Sequence, residues 1–121
     1  MVRFEHASLF VKSLYECVDN KNLHVLAEKL DEDVYFKFSN FEAVTGRDAV
    51  LESNEGFFSS IKNMRHEIRN VWSQGDDVIC NGKVHYTRLN DSLHTAEFAT
   101  VLTVKNNKIT NYLIYADVSL L

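Results

Sequence analysis

The sequence has no proline, and only four glycines and two cysteines among 121 residues. No Gly/Ser tract, internal repeat or charge run of five or more marks a linker, so residues 1–121 read as a single domain. Cys17 and Cys80 permit at most one disulfide and belong to no Cys-x-x-Cys pair, which argues against a disulfide scaffold and a zinc ribbon. They read as two buried, reduced thiols of a cytoplasmic protein. The longest apolar run is the five residues from Tyr112 to Ala116, against about 20 needed to span a bilayer. Glu5 and His6 break any apolar signal region. Basic residues are also short, 13 against 17 acidic for a net charge of -4, whereas nucleic-acid binding needs a basic stripe. Lys62, Arg65 and Arg69 come nearest to one, but Glu67 interleaves them as on the wet face of a strand.

What is present is enough for a core: 45% apolar residues, with eight Phe, five Tyr and one Trp. Phe4, Ala7, Val11, Leu14, Tyr15 and Val18 keep helical spacing and end in the polar run Asp19-Asn20-Lys21-Asn22. Asn22 can cap a second helix with Leu23, Leu26, Ala27 and Leu30 on one stripe. Val34, Phe36 and Phe38 alternate as a short strand. A third helix follows Thr45-Gly46-Arg47-Asp48, with a stripe of Val50, Asn54, Phe57, Phe58 and Ile61.

After residue 63 the period changes from 3.6 to 2. Strands are predicted from Met64 to Trp72, Val78 to Leu89, Leu93 to Val104 and Ile109 to Val118, with a bulge or bend at Asn81-Gly82 and a hairpin turn at Asn106-Asn107. Helices first and an antiparallel meander last make an α+β layout. Both faces of the last two strands are partly apolar: Ala96, Phe98, Thr100, Leu102 and Val104 share one face, while Ala99 and Val101 share the other. Tyr112, Ile114 and Ala116 likewise oppose Leu113 and Tyr115. No helix remains to cover the second face, so a second copy of the chain is the expected cover.

This order, with the segments Thr45-Gly46-Arg47-Asp48-Ala49-Val50, Arg65-His66-Glu67-Ile68, Asn107-Lys108-Ile109 and Tyr115-Ala116-Asp117, resembles the nuclear-transport-factor-2-like superfamily, and within it the SnoaL-like proteins. The resemblance implies a cystatin-like cone, in which a curved antiparallel sheet (a four-stranded meander plus short strands) packs on three N-terminal helices. It also implies an internal pocket for a hydrophobic small molecule and homodimers through the outer sheet face. No cofactor is implied. The superfamily includes ketosteroid isomerases, polyketide cyclases, limonene-epoxide hydrolases, scytalone dehydratases and carriers without chemistry, so the fold does not fix the function.

By the same resemblance, the base and the two oxyanion-holding groups of a ketosteroid isomerase would fall near Lys37 or Phe38, at Leu14 beside Tyr15, and at Thr100. The base and the acid are missing, which argues against that activity. His66 alternates with Met64 and Ile68 on the inward face, where an imidazole can exchange a proton near neutral pH, or can serve only as a hydrogen-bonded core residue. Scytalone dehydratases resemble this chain in carrying a His on the corresponding strand. His66-Glu67 begins like the zinc motif His-Glu-x-x-His, but Asn70 stands where the second His belongs, so no metal is expected.

His85 reads as pocket or surface; by register with the family, it and Thr87 would face the pocket, with His94 at its mouth. Tyr15 is a hydrogen-bond donor or core packing, and Arg88 a carboxylate binder or an ordinary solvated residue. Asp117 matches an Asp that SnoaL-like proteins carry at the end of the last strand, yet parity with Tyr112, Ile114 and Ala116 turns it away from the pocket. The catalytic candidates are therefore His66, His85, Tyr15 and Asp117. Phe38, Phe58, Thr87, Phe98, Thr100, Tyr112 and Ile114 are the candidate ligand contacts, around a cavity of a few hundred cubic ångströms.

Overall fold

Helical spacing of apolar side chains sets the first element. In the computed structural model, which describes residues 4–121, α1 (Phe4–Asp19) buries Ala7, Val11, Leu14, Tyr15 and Val18. The side chain of Phe4, expected on the same stripe, lies outside the described residues. The Asn22 side chain caps α2 (Leu23–Lys29) by accepting the Val25 N–H at 3.1 Å. β1 (Leu30–Phe38) follows without a loop, so Leu30, expected on the helix, is instead the buried first residue of the strand. After β2 (Val44–Thr45), Gly46 takes φ +98°, a left-handed value that favours glycine, and α3 (Arg47–Ser59) begins. Ile61, expected on the stripe of α3, is buried as the first residue of β3 (Ile61–Gln74).

The alternating half of the chain forms β3, β4 (Asp77–Arg88), β5 (Leu93–Lys105) and β6 (Lys108–Ala116), each antiparallel to the next. Asn106 and Asn107 both have positive φ, the requirement of a tight hairpin turn matching the twist of its strands. The expected meander is present, and β1 adds to it in parallel with β6, giving a six-stranded mixed sheet in the order β2-β1-β6-β5-β4-β3. Helices α1 and α3 pack on its inner face, against β3 and β1.

The irregularity expected at Asn81-Gly82 sits on the facing strand. Ile68 pairs with Gly82 and Asn70 with Asn81, which leaves Arg69 as the extra residue in β3. Gly82 is required there for a spatial reason, since a Cβ on it would lie 1.9 Å from the Glu67 carbonyl oxygen. β4 itself keeps one parity throughout, with Val78, Cys80, Val84 and Tyr86 buried. On the outer face, register aligns Trp72, Ile79, Val101 and Leu113 in one row across four strands. Trp72 and Ile79 are exposed, so this row meets solvent.

Candidate functional site

The last turn of α1 meets the start of β3, and there Asp19 engages His66 twice. Its Oδ2 accepts the His66 main-chain N–H at 2.9 Å, and its Oδ1 lies 2.5 Å from ring Nδ1. The imidazole is nearly buried, with 9% of its side chain exposed. Among the described residues no hydrogen bond is made by its Nε2. Tyr15, one helical turn before Asp19, lays its ring beside the imidazole at 4.2 Å between centroids, and Phe98 meets it edge-on at 5.1 Å. The Tyr15 hydroxyl is 2.5 Å from the Thr100 hydroxyl.

His66, Tyr15, Asn54, Tyr86 and Tyr112 supply the polar surface of a chamber of about 30 Å³, closed by Phe38, Phe57, Phe58, Met64 and Ile114. That volume holds roughly one water molecule. Burial raises the pKa of all three phenols well above the ordinary tyrosine value, with Tyr112 adding to the effect on Tyr15 and Asp19 to that on Tyr86. They therefore stay neutral and act through their O–H groups. Asn54 is oriented by its own helix, its amide donating to the Val50 carbonyl at 2.8 Å.

A much larger concavity adjoins this chamber. A groove of about 570 Å³ lies between β1, β2 and α3, and Phe38 and Phe57 line both spaces. Their rings meet edge-to-face at 4.8 Å and form the partition between groove and chamber. Phe41 and Tyr86 extend this aromatic row on either side.

The sequence profile of the SnoaL-like domain matches residues 11–112. The chain belongs to the SnoaL-like family. No curated protein matches it by sequence. Among solved structures it is similar to a nuclear-transport-factor-2-like protein of unknown function from Burkholderia pseudomallei, at 18% identity and TM-score 0.84, covering 94% of this chain and 92% of that one. It is also similar to a proposed SnoaL-like polyketide cyclase from Jannaschia sp. (14% identity, TM-score 0.82, 94% and 87% covered). A third is an LEH-like epoxide hydrolase from M. tuberculosis (15%, TM-score 0.80, 93% and 84%). At these identities the likeness is one of fold.

The structure gathers some of the SnoaL-like candidates and disperses others. His66, Tyr15, Phe38, Phe58, Tyr112 and Ile114 line the chamber. Phe98 backs Tyr15 and His66 without lining it. Thr100 is fully buried behind Tyr15, its hydroxyl taken up by that phenol, so it is no ligand contact here. His85 and Thr87 are corrections: the unbroken parity of β4 turns both to the outer sheet face, where His85 contacts the Thr95 hydroxyl and lies 3.7 Å from Glu67. Asp117 is exposed beyond the end of β6, and its carboxylate accepts the Ser119 N–H, a contact that lowers its pKa and favours the charged form.

The internal cavity, expected at a few hundred cubic ångströms, measures about 30 Å³, because the aromatic side chains that were to line it fill it. Arg88 donates to the Leu120 and Leu93 carbonyls and to the Ser92 hydroxyl. His94 stacks on Tyr86. Cys17 and Cys80 are free and buried, their thiols pushed up to about 11 and about 12 by burial. Among the described residues no group of three His, Cys, Asp or Glu could hold a metal, and no helix is long and apolar enough to cross a membrane.

Sequence reasoning missed Asp19 altogether. Its signal was available: Asp19 stands four residues after Tyr15, on the stripe that α1 buries.

Proposed function

We propose that this SnoaL-like protein is a small cofactor-independent enzyme that moves protons on an apolar small molecule, as a cyclase, dehydratase or isomerase does, with Asp19 and His66 as its working pair. The observation that carries this reading is the double hold of Asp19 on His66. A carboxylate on Nδ1 selects the tautomer whose Nε2 bears the lone pair, and it stabilises the imidazolium that forms when Nε2 takes a proton. Neutral Tyr15 and Tyr86 are the hydrogen-bond donors beside it. A proposed SnoaL-like polyketide cyclase and an LEH-like epoxide hydrolase among the structural neighbours are consistent with small-molecule chemistry on this fold.

The test is exchange of the acidic C–H protons of 2-tetralone in D₂O, followed by mass spectrometry. Protein-dependent exchange should fall ~100-fold or more in His66→Gln, the usual worth of general acid–base catalysis. Wild-type exchange no faster than that of the variant rejects the catalytic reading.

A second reading is a non-catalytic ligand-binding or dimeric interaction domain of the same fold. The small volume of the His66 chamber favours it. In either reading the expected place of work is the cytoplasm and the expected state a homodimer through the outer sheet face; the dimer is supported by the apolar row from Trp72 to Leu113, exposed at Trp72 and Ile79.

A further inference from the structure

The groove outside the Phe38–Phe57 partition has a distinctive chemistry. Four phenyl rings line it, from Phe36, Phe38, Phe41 and Phe57, together with the carboxylates of Glu42 and Glu52. Among the described residues no basic side chain lines it. The nearest lysine in sequence, Lys37, is committed to the Phe41 carbonyl. Phenyl faces attract cations by their quadrupole, each contact contributing a few-fold to about thirtyfold in affinity. Two carboxylates, Glu42 from the β1–β2 connection and Glu52 from α3, add attraction for positive charge and repel an anion. At about 570 Å³ the groove has the size of a small-ligand site, typically ~300–1,000 Å³.

We propose that this groove binds an organic cation, a protonated or quaternary ammonium carried on an apolar body. The ammonium group lies toward Glu42 and Glu52, and the body covers the rings of Phe38 and Phe57. The space beside Gly56 on the α3 wall is open, with nothing within 4 Å of where a Cβ would stand. The inference rests on the reading of the protein as a small-molecule binder, and it is independent of proton transfer at His66.

The experiment titrates ¹⁵N-labelled protein with benzyltrimethylammonium, benzyl alcohol and benzenesulfonate, following the amides of Ser53, Gly56 and Ser60. The cation is expected to shift these amides and to bind at least ~10-fold tighter than the alcohol, with no binding of the sulfonate. The double variant Glu42→Gln/Glu52→Gln, exposed at both positions, should reduce cation affinity about fivefold or more. Gly56→Leu, whose side chain enters the groove, should abolish it. Equal binding of cation and alcohol, or full cation affinity in the Gln variant, overturns the charge assignment while leaving the small-molecule reading standing. Failure of all three probes to reach these amides overturns both. Concentration-dependent broadening of the same amides without any probe assigns the groove to a second copy of the chain and overturns the proposal.

Discussion

One carboxylate, that of Asp19, holds both the main-chain N–H and the ring Nδ1 of His66, a residue 47 positions later in the chain. It joins the end of α1 to β3 and fixes the imidazole orientation in one step. Asp19→Ala is therefore expected to cost about 1.5–3 kcal/mol in urea unfolding, the range for hydrogen bonds to a charged group. His66→Gln should cost less, since Asp19 keeps its main-chain partner. Nitrogen chemical shifts of His66 should report a proton on Nδ1 in the wild type and lose that bias in Asp19→Asn. An unbiased wild-type ring would contradict the assignment.

Removing the partition should connect the chamber to the groove. Phe57→Ala is expected to raise the rate at which diethylpyrocarbonate modifies His66, read by peptide mass spectrometry, at a stability cost of about 1–3 kcal/mol for a half-buried ring. Unchanged His66 reactivity in a folded variant would mean that access runs elsewhere.

Light scattering at micromolar concentration should give about twice the chain mass of 14.0 kDa. Val101→Glu, placing a charge at the centre of the outer apolar row, should shift the particle to the monomer mass with little change in far-UV circular dichroism. A wild-type monomer rejects the proposed dimer.

Gly82→Ala tests the close approach of β3 and β4. The added methyl would fall on the Glu67 carbonyl oxygen, so a loss of about 3 kcal/mol or more is expected. A thermal midpoint near that of the wild type would show that the strands separate cheaply.

Alkaline pH should unfold the protein through its buried thiols. Cys17 and Cys80 are raised from 9.0 to about 11 and about 12, so the unfolded chain loses these protons first. Their contribution is complete below pH 9 and declines as pH rises toward the folded values, with a slope of up to ~1.4 kcal/mol per pH unit for each group. Urea midpoints at pH 8 and pH 10.5 measure it, and Cys80→Ala should flatten the decline.

The layout was legible because each element advertised its period. The stripe of α1, the alternation of β5 and the Asn106-Asn107 turn all appear as read. Register with the family misplaced His85 and Thr87 because the glycine in β4 looked like the source of the irregularity, whereas β4 keeps its parity and the extra residue is Arg69 in β3. A bulge belongs to a pair of strands, and one sequence does not say which strand carries it. Asp19 escaped notice because an acidic residue at a helix end reads as solvated until β3 is placed against it. Cavity size was equally illegible: the same aromatic residues line an open cone or fill a closed one, and side-chain packing decides which.

The parallel pairing of β1 with β6 has a consequence for biogenesis. Phe36 and Phe38 find their sheet partners in Tyr112 and Ile114, so β1 has only the two-residue β2 beside it until the ribosome has passed β6. The backbone of β1 is thus synthesised long before its main partner strand exists, although α3 can already cover Phe38 through Phe57. Arrest of translation before residue 108 should leave a nascent chain that ribosome-bound chaperones retain, and its release should follow emergence of β6 rather than completion of the helices.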